Sequence, residues 1–471
     1  FSEGCLLSLL PKASRMKLSM TTVRRAGLFL MLFSFGISLW WALGLGRAVP
    51  GGTIDFQGVY YGTRCLLQHC DPYRQSELES IYRAEAGEHL LSRIEPDQLQ
   101  VITFYVNLPT TFLYLAPIAM LPWGLAQAFW ITLTAVCFFL AAFLMWRLGA
   151  DYAPRVSLFL VCILLANSEV IFSTGNTAGV VVGLCVIAVW CFLQQGFVPL
   201  GILCLAISLG IKPHDAGLVW LYFLLAGGAY RKRALQTLAV TVVLGLAAIL
   251  WVSHVAPHWI QEWRSNMASI SSPGGLNEPG PGSKTSHGTA DIIIDLQTAI
   301  SVFRDDPRFY NPVSYLVCGA LLLAWTVTTL KSRLSPQRAW FALAAISALT
   351  MLVTYHRPYD ARLLMLSIPA CATLWAGGGG RAWVALLINS AAIFMTGDIP
   401  VALLDVFTRD LHWSTASLPG KIVTVALIRP VPLILLAMAV FYLWMYVRRG
   451  PVDARTGPGG CGQTSTARVA N

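Results

Sequence analysis

Long apolar runs separated by short polar connections make up most of this chain. They lie at 26–48, 110–146, 156–173, 177–194, 197–211, 215–230, 235–255, 312–330, 339–355, 361–377, 382–397 and 426–447. An apolar run of about 18 residues or more crosses a bilayer as a helix, because a helix satisfies its own backbone hydrogen bonds there. With 110–146 read as a re-entrant or interfacial piece followed by a full span, the pattern predicts an all-α polytopic membrane protein with about twelve transmembrane helices.

Basic residues gather on one side of the predicted spans. A cytoplasmic amino terminus places Arg24, Arg147, Arg231 and Lys331 in the cytoplasm, as the positive-inside rule requires. Of the 23 acidic residues, only Glu3, Asp151 and Asp453 then lie on that side. The net charge of +10 therefore indicates topology and not a nucleic-acid partner. We expect a plasma-membrane protein with both termini cytoplasmic and with membrane lipids around it.

The predicted organisation is one membrane domain at 26–447 between a cytoplasmic segment at 1–25 and a disordered cytoplasmic tail at 448–471. The first run has no small-residue cleavage site and is read as an uncleaved anchor. Long external loops at 49–108, 256–311 and 398–425 are the expected place for chemistry.

Apolar residues between positions 56 and 67 recur at helical spacing in the first external loop. They predict a short amphipathic helix in the membrane interface, ended by Asp71-Pro72. In the second loop, the Gly/Pro/Ser-rich stretch 271–283 predicts a mobile segment, a candidate lid.

The eleven cysteines do not form a zinc or disulfide framework, since seven lie inside apolar runs. Cys65 and Cys70 differ because they are close together in an external loop. They are either free or joined by a disulfide.

Asp55 follows the first span and directly precedes the predicted interfacial helix. A carboxylate there can act on substrates at the membrane surface. The alternative is structural, because aspartate is a favoured N-cap for a helix that starts at Phe56.

Two polar clusters interrupt otherwise apolar stretches, Lys212-Pro213-His214-Asp215 and Tyr355-His356-Arg357-Pro358-Tyr359-Asp360. Both fit hairpin tips. Both also fit a cationic site for a phosphate at the outer membrane surface, because Lys, Arg and protonated His stabilise a leaving phosphate. The sequence contains no metal-binding constellation, Walker loop or dinucleotide-binding turn, so neither a metal nor a cofactor is expected.

The series Asp55-Phe56-x-x-Val59-Tyr60-Tyr61, Leu66-Leu67-x-x-x-Asp71-Pro72-Tyr73 resembles the first external loop of glycosyltransferase family 87, also described as a domain of unknown function. The resemblance spans about residues 50–375 and includes 105–109, 115–122, Gly175-Asn176, Lys212-Pro213 and His356. Asn107-Leu108 stands where the family often has Pro-Pro, and Asn176 where it often has Gln.

The resemblance implies a GT-C fold and transfer of a hexose, expected to be mannose, from a polyprenyl-phosphate carrier to a lipid or glycan acceptor. Carried over by position, Asp55 is the general base of an inverting transfer, and His356 lies beside the phosphate or acceptor. The further candidate substrate-binding residues are Tyr60, Asn176, Lys212, Arg357 and Arg362. Rival interpretations are a secondary transporter and a lipid-linked sugar ligase or flippase.

Overall fold

The computed structural model describes residues 20–45, 52–86, 94–272, 275–280, 293–332, 335–400, 402–403 and 417–448. Within these ranges the chain forms helices and no strand, which confirms the all-α prediction. Three predicted segments lie partly or mostly outside the described residues. These are residues 1–19 of the amino-terminal segment, the tail from residue 449, and residues 273–274 and 281–283 of the candidate lid.

Many neighbouring helices of the described chain are joined by short connections. In chain order they are Met20–Leu45, Ile54–Leu67, Gln75–Ala86, Pro96–Thr103, Pro109–Ala119, Trp123–Ala150, Pro154–Ala166, Val170–Ser173, Ala178–Leu193, Val198–Ile211, Pro213–Ala226, Gly228–Val255, Trp259–Ile270, Leu296–Ser301, Pro307–Lys331, Pro336–Val353, a 3₁₀ helix Asp360–Ser367, Ile368–Gly377, Gly380–Met395, Leu418–Val423, a π-helical turn Thr424–Ile428, and Val431–Val447.

Six segments of the described chain are long and apolar enough to cross a membrane: Arg25–Gly44, Trp123–Ala150, Pro154–Ser173, Gly228–Val255, Pro307–Lys331 and Pro336–Val353. A seventh results if Leu418–Ile428 and Val431–Val447, bent by 71°, form one broken span. The protein is therefore a polytopic helical membrane protein, but the count of about twelve predicted spans is not supported.

The shortfall in spans arises because several predicted spans form helices of fewer than 18 residues. Ala178–Leu193 and Gly380–Met395 each have 16 residues, and Val198–Ile211 has 14. At a rise of about 1.5 Å per residue, 16 residues reach roughly 24 Å, less than the roughly 30 Å hydrocarbon core. These runs are as apolar as membrane spans, but the helices that they form are shorter than the hydrocarbon core is thick.

Both polar clusters lie at helix breaks, as the sequence predicts. Lys212 has φ −136° and ψ 82°, outside the helical region, and Pro213 begins the next helix. This follows from the clash of a proline ring with a helical residue before it. Residues 354–359 likewise separate helix Pro336–Val353 from the 3₁₀ helix Asp360–Ser367. The breaks free backbone and side chains to form a polar site between the helices.

Helix Ile54–Leu67, called here the Asp55 helix, forms where the sequence predicts a helix. Ten of its 14 residues are buried, from Phe56 to Leu66. They pack in an aromatic cluster with helices Gln75–Ala86, Pro96–Thr103 and Pro109–Ala119. Neighbouring helices therefore cover most of its surface, and its position in the membrane interface stays a prediction.

The Asp55 helix ends at Leu67, before the predicted stop at Asp71-Pro72. A disulfide joins Cys65, in the last turn of the helix, to Cys70, with Cα atoms 5.0 Å apart. The backbone N–H of Cys70 donates to the carbonyl of Cys65 at 3.0 Å, so the chain turns back at this point.

Candidate active site

The amino-terminal end of the Asp55 helix is held by backbone carbonyls of the segment 173–174. Thr53 N–H donates to Ser173 O at 3.0 Å, and Asp55 N–H donates to Thr174 O at 2.9 Å. Thr53, with φ 43°, is the N-cap and makes no side-chain capping bond. Asp55 is thus the second helical residue and not the N-cap, so the alternative that Asp55 caps the helix is wrong.

Gly175 allows this close approach of segment 173–176 to the Asp55 helix. Its φ is +65°, and a Cβ on it would lie 2.8 Å from Thr53 Cβ and 2.9 Å from Phe56 Cβ. Its carbonyl accepts from Trp130 Nε1 at 2.8 Å. A side chain here would push the segment away from Asp55, since left-handed backbone and lack of space both favour glycine.

Asn176 joins Asp55 to the first polar break. Its Nδ2 donates to Asp55 Oδ2 at 2.8 Å. Its Oδ1 accepts from Lys212 Nζ at 3.1 Å and from Ala178 N–H at 2.9 Å. The two donors on Oδ1 fix the orientation of the amide, so Asn176 presents a donor to the Asp55 carboxylate.

Lys212 is 9% exposed and already paired. Its ammonium lies 2.8 Å from Asp360 Oδ1 and 4.0 Å from Asp215 Oδ2. It therefore links the two breaks, because Asp215 follows the first and Asp360 follows the second. Its charge reaches a ligand only as part of this ion-pair network.

Arg357 is the half-buried cation of the second break. Its Nη2 donates to Leu276 O at 3.0 Å, while its buried Nε lacks a partner among the described residues. Burial alone would lower the pKa of Arg357, but Tyr355, Tyr359 and Asp55 raise it above the ordinary arginine value. Arg357 therefore interacts electrostatically with Asp55, and its Nε retains hydrogen-bonding capacity.

His214 and His356 meet at Asp215. His356 Nε2 lies 3.3 Å from Asp215 Oδ1, and His214 Nε2 lies 3.9 Å from the same oxygen. Asp215 and His356 are fully buried, whereas the His214 side chain is 37% exposed. Burial would lower the pKa of His356, but the Asp215 carboxylate raises it above the ordinary histidine value.

The structure thus brings together four of the candidate residues, Asp55, Asn176, Lys212 and Arg357, and places His356 beside them through Asp215. Arg362 and Tyr60, the other two candidates, do not belong to this group of residues.

Arg362 is 1% exposed and donates to the carbonyls of Asn167, Pro358 and Thr396 and to Ser168 Oγ. Tyr60 is 2% exposed and donates to Leu121 O at 2.8 Å. The polar groups of Arg362 and Tyr60 therefore donate to oxygens of the protein itself and connect segments distant in sequence.

Sequence reasoning gave Asp215 and Asp360 no role of their own. In the structure they are the buried carboxylates that pair with His356 and Lys212. The available signal was that each stands in a proline-containing break beside basic residues, since a buried cation requires a nearby anion.

A scan against protein-family models matches Glycosyltransferase family 87 over residues 105–355, more than half of the chain. The matched segment contains Asn176, Lys212 and Asp215 and ends one residue before His356. No curated protein and no solved structure matches the chain. The chain belongs to glycosyltransferase family 87 and is a membrane glycosyltransferase.

Proposed function

We propose that this protein transfers a hexose, most specifically mannose, from a polyprenyl-phosphate donor to a lipid or glycan acceptor on the external face of the plasma membrane. The observation that carries the proposal is the Asp55 carboxylate. It does not cap its helix, and Asn176 donates to its Oδ2 and links it to Lys212. Arg357 interacts with it electrostatically.

Asp55 acts as the general base in this reaction. Its Oδ1 takes the proton of an acceptor hydroxyl while that oxygen bonds to the anomeric carbon of the sugar. The bond from the anomeric carbon to the phosphate oxygen breaks on the opposite face, so the configuration inverts and polyprenyl phosphate leaves. A base of this kind contributes about 10²- to 10⁴-fold in rate.

The cations of the two helix breaks stabilise the departing phosphate. Arg357 supplies hydrogen bonds through its guanidinium, and Lys212 supplies positive charge from within its ion pairs. Such groups lower the barrier because negative charge grows on the phosphate as the sugar leaves. Family membership favours this chemistry over the transporter interpretation, which includes no bond cleavage.

External placement of the site fits the Cys65–Cys70 disulfide at the end of the Asp55 helix. Disulfides persist on the oxidising side of the membrane and are rare in the cytosol. In the topology that we propose, both termini are cytoplasmic.

The decisive experiment offers the purified protein, in lipid nanodiscs, radiolabelled polyprenyl-phosphate sugars with a panel of lipid and glycan acceptors. We expect equal amounts of free polyprenyl phosphate and glycosylated acceptor, with the greatest turnover for the mannose donor. Release of the sugar from a nucleotide donor alone would contradict the donor class. Movement of intact donor across vesicles without cleavage would indicate a flippase.

Orientation has its own test. A membrane-impermeant thiol reagent applied to intact cells should label Ser271→Cys and leave Ser332→Cys unlabelled, with the parental protein giving the background from native cysteines. Labelling of the second position alone would place the site on the cytoplasmic face.

A further inference from the structure

We propose that His214, Asp215 and His356 form a binding site for one divalent transition-metal ion of the zinc class. The ion's binding is independent of the proposed function, and its role beside the donor phosphate rests on that function. The three residues come from the two helix breaks, so the site exists only where the breaks meet.

The separations of the ligand atoms fit a metal ion. One ligand atom from each residue lies within 4.8 Å of the others. Two ligands that each bond zinc at roughly 2.0–2.1 Å in tetrahedral geometry are about 3.4 Å apart. Asp215 Oδ1 lies 3.3 Å from His356 Nε2 and 3.9 Å from His214 Nε2, close to that spacing.

The ring orientation of His356 also fits a metal ligand. Its Nδ1 lies 2.7 Å from the carbonyl of Thr354, which can only accept a hydrogen bond. A hydrogen bond to this carbonyl requires a proton on Nδ1, which leaves Nε2 as the nitrogen that faces Asp215 and can bind a cation. Metal-bound histidines usually donate their second ring N–H to a carbonyl or carboxylate in this way.

His356 Nε2 and the Asp215 carboxylate face each other inside the protein, 3.3 Å apart. Both residues are fully buried, and Lys212 Nζ lies 4.0 Å from Asp215 Oδ2. These ion-pair contacts give Asp215 Oδ1, Asp215 Oδ2 and His356 Nε2 no well-aligned hydrogen bond among the described residues, although buried polar atoms are normally satisfied. A cation coordinated by Asp215 and His356 satisfies these atoms.

The charge of the surroundings can accept such an ion. Asp55, Asp215 and Asp360 oppose the two permanent cations Lys212 and Arg357, which leaves one net negative charge when both histidines are neutral. A divalent ion changes the sign of the cluster. The resulting positive charge suits a site that binds an anionic phosphate.

The exposed side of His214 leaves room for a further ligand. Three protein ligands with one open position are typical of catalytic zinc sites, whereas structural sites are closed. Under the proposed function, a donor phosphate oxygen occupies the open position. Two imidazole ligands favour zinc or a similar transition metal over magnesium and calcium, which prefer oxygen ligands.

The test uses tag-free protein that is stripped of metal with a chelator, incubated with Zn²⁺ and then desalted to remove unbound zinc. Bound metal is counted by elemental analysis. We expect about one zinc ion per chain and a zinc-dependent rise in apparent Tm, with no rise in Mg²⁺. His214→Gln and His356→Gln should each weaken zinc binding by at least roughly tenfold, the lower end of losses around metal sites.

The matched control is His254→Gln, which removes an exposed histidine on helix Gly228–Val255. It should bind zinc like the parent. His214→Gln changes an exposed side chain, so its effect does not depend on refolding a buried core. Parental protein without bound zinc, or undiminished binding by His214→Gln, would overturn the site in favour of a protonated His356 paired with Asp215.

Failure of the metal site and failure of the proposed function give different results. Asp55→Asn should bind zinc like the parent and lose sugar transfer. Normal transfer by Asp55→Asn refutes the proposed base and leaves the metal site standing, whereas absence of zinc refutes the metal site alone.

Discussion

Two buried polar clusters occupy the same part of this protein and differ in how their hydrogen bonds are satisfied. The Arg362 cluster consists of Arg362, Asn167, Ser168 and Thr396, and the guanidinium donates to carbonyl and hydroxyl oxygens throughout. The Asp55 cluster consists of Asp55, Asn176, Lys212, Arg357 and Asp360. It combines close ion pairs with an Arg357 Nε that has no partner in the part of the chain that the structure describes.

The difference separates structural from functional polar groups. A buried cation whose donors all meet backbone carbonyls is satisfied and has no capacity for a ligand. A cluster with open donor and acceptor atoms is stable only if its geometry is held from outside, as backbone carbonyls hold the Asp55 helix here. Arg357 and Arg362 are five positions apart, yet only Arg357 keeps capacity for a substrate.

The largest expected effect is on catalysis. Asp55→Asn keeps the size of the side chain but cannot accept a proton, so turnover should fall by roughly 10²- to 10⁴-fold with thermal stability unchanged. Sugar transfer and unfolding in detergent are measured together. Asp151→Asn, the same change at an exposed position after helix Trp123–Ala150, is the control. A stable Asp55→Asn protein with more than about a tenth of parental turnover would exclude Asp55 as the base.

The next effect is on folding. Arg362→Met leaves buried oxygens of Asn167, Ser168 and Thr396 without their donor, which should cost roughly 3 kcal/mol or more at about 1–3 kcal/mol per group. The paired variant Arg357→Met should destabilise less and instead raise the donor concentration needed for half-maximal transfer. Thermal unfolding and donor titration distinguish them. If both variants were equally destabilised and Arg357→Met needed no more donor than the parent, the proposed difference between the two clusters would be wrong.

A smaller effect is expected at the other end of the Asp55 helix. Cys65→Ser with Cys70→Ser opens a short disulfide loop, which should lower stability by about 2 kcal/mol from chain entropy. Transfer at low temperature should remain, because Asp55 is positioned by segment 173–176 and not by the disulfide. Reductant should reproduce the loss of stability in the parent only. Loss of activity in the folded double variant would mean that the whole helix, and not its first turn, sets the site.

The smallest effect is expected from removing the hydrogen bond that orients the Asp55 carboxylate. Asn176→Ala removes the donor to Asp55 Oδ2 and should lower turnover about tenfold, equivalent to about 1.4 kcal/mol, the lower end for hydrogen bonds to charged groups. Asn176→Gln retains an amide and serves as the conservative comparison, with smaller loss. Steady-state rates at saturating donor show the difference. An alanine variant as active as the parent would assign Asn176 to the Lys212 network alone.

The sequence by itself determined the membrane class, the helical architecture and the two polar breaks. These properties depend on local composition, because long apolar runs, Pro213 and Pro358 act within one turn or one span of chain. The resemblance carried by Asp55 and the Asp-Pro-Tyr series likewise led to the family that the match over residues 105–355 supports.

Only the tertiary structure decided which polar residues meet. Asp55 and Asn176 are 121 positions apart, and Lys212 and Asp360 are 148 apart, so no local pattern reports their hydrogen bonds. Composition also could not separate Arg357 from Arg362, or show that helix Ala178–Leu193 is shorter than a membrane is thick. The physical reason is that a buried charge is defined by its partners, and partners are chosen by packing between helices distant in sequence.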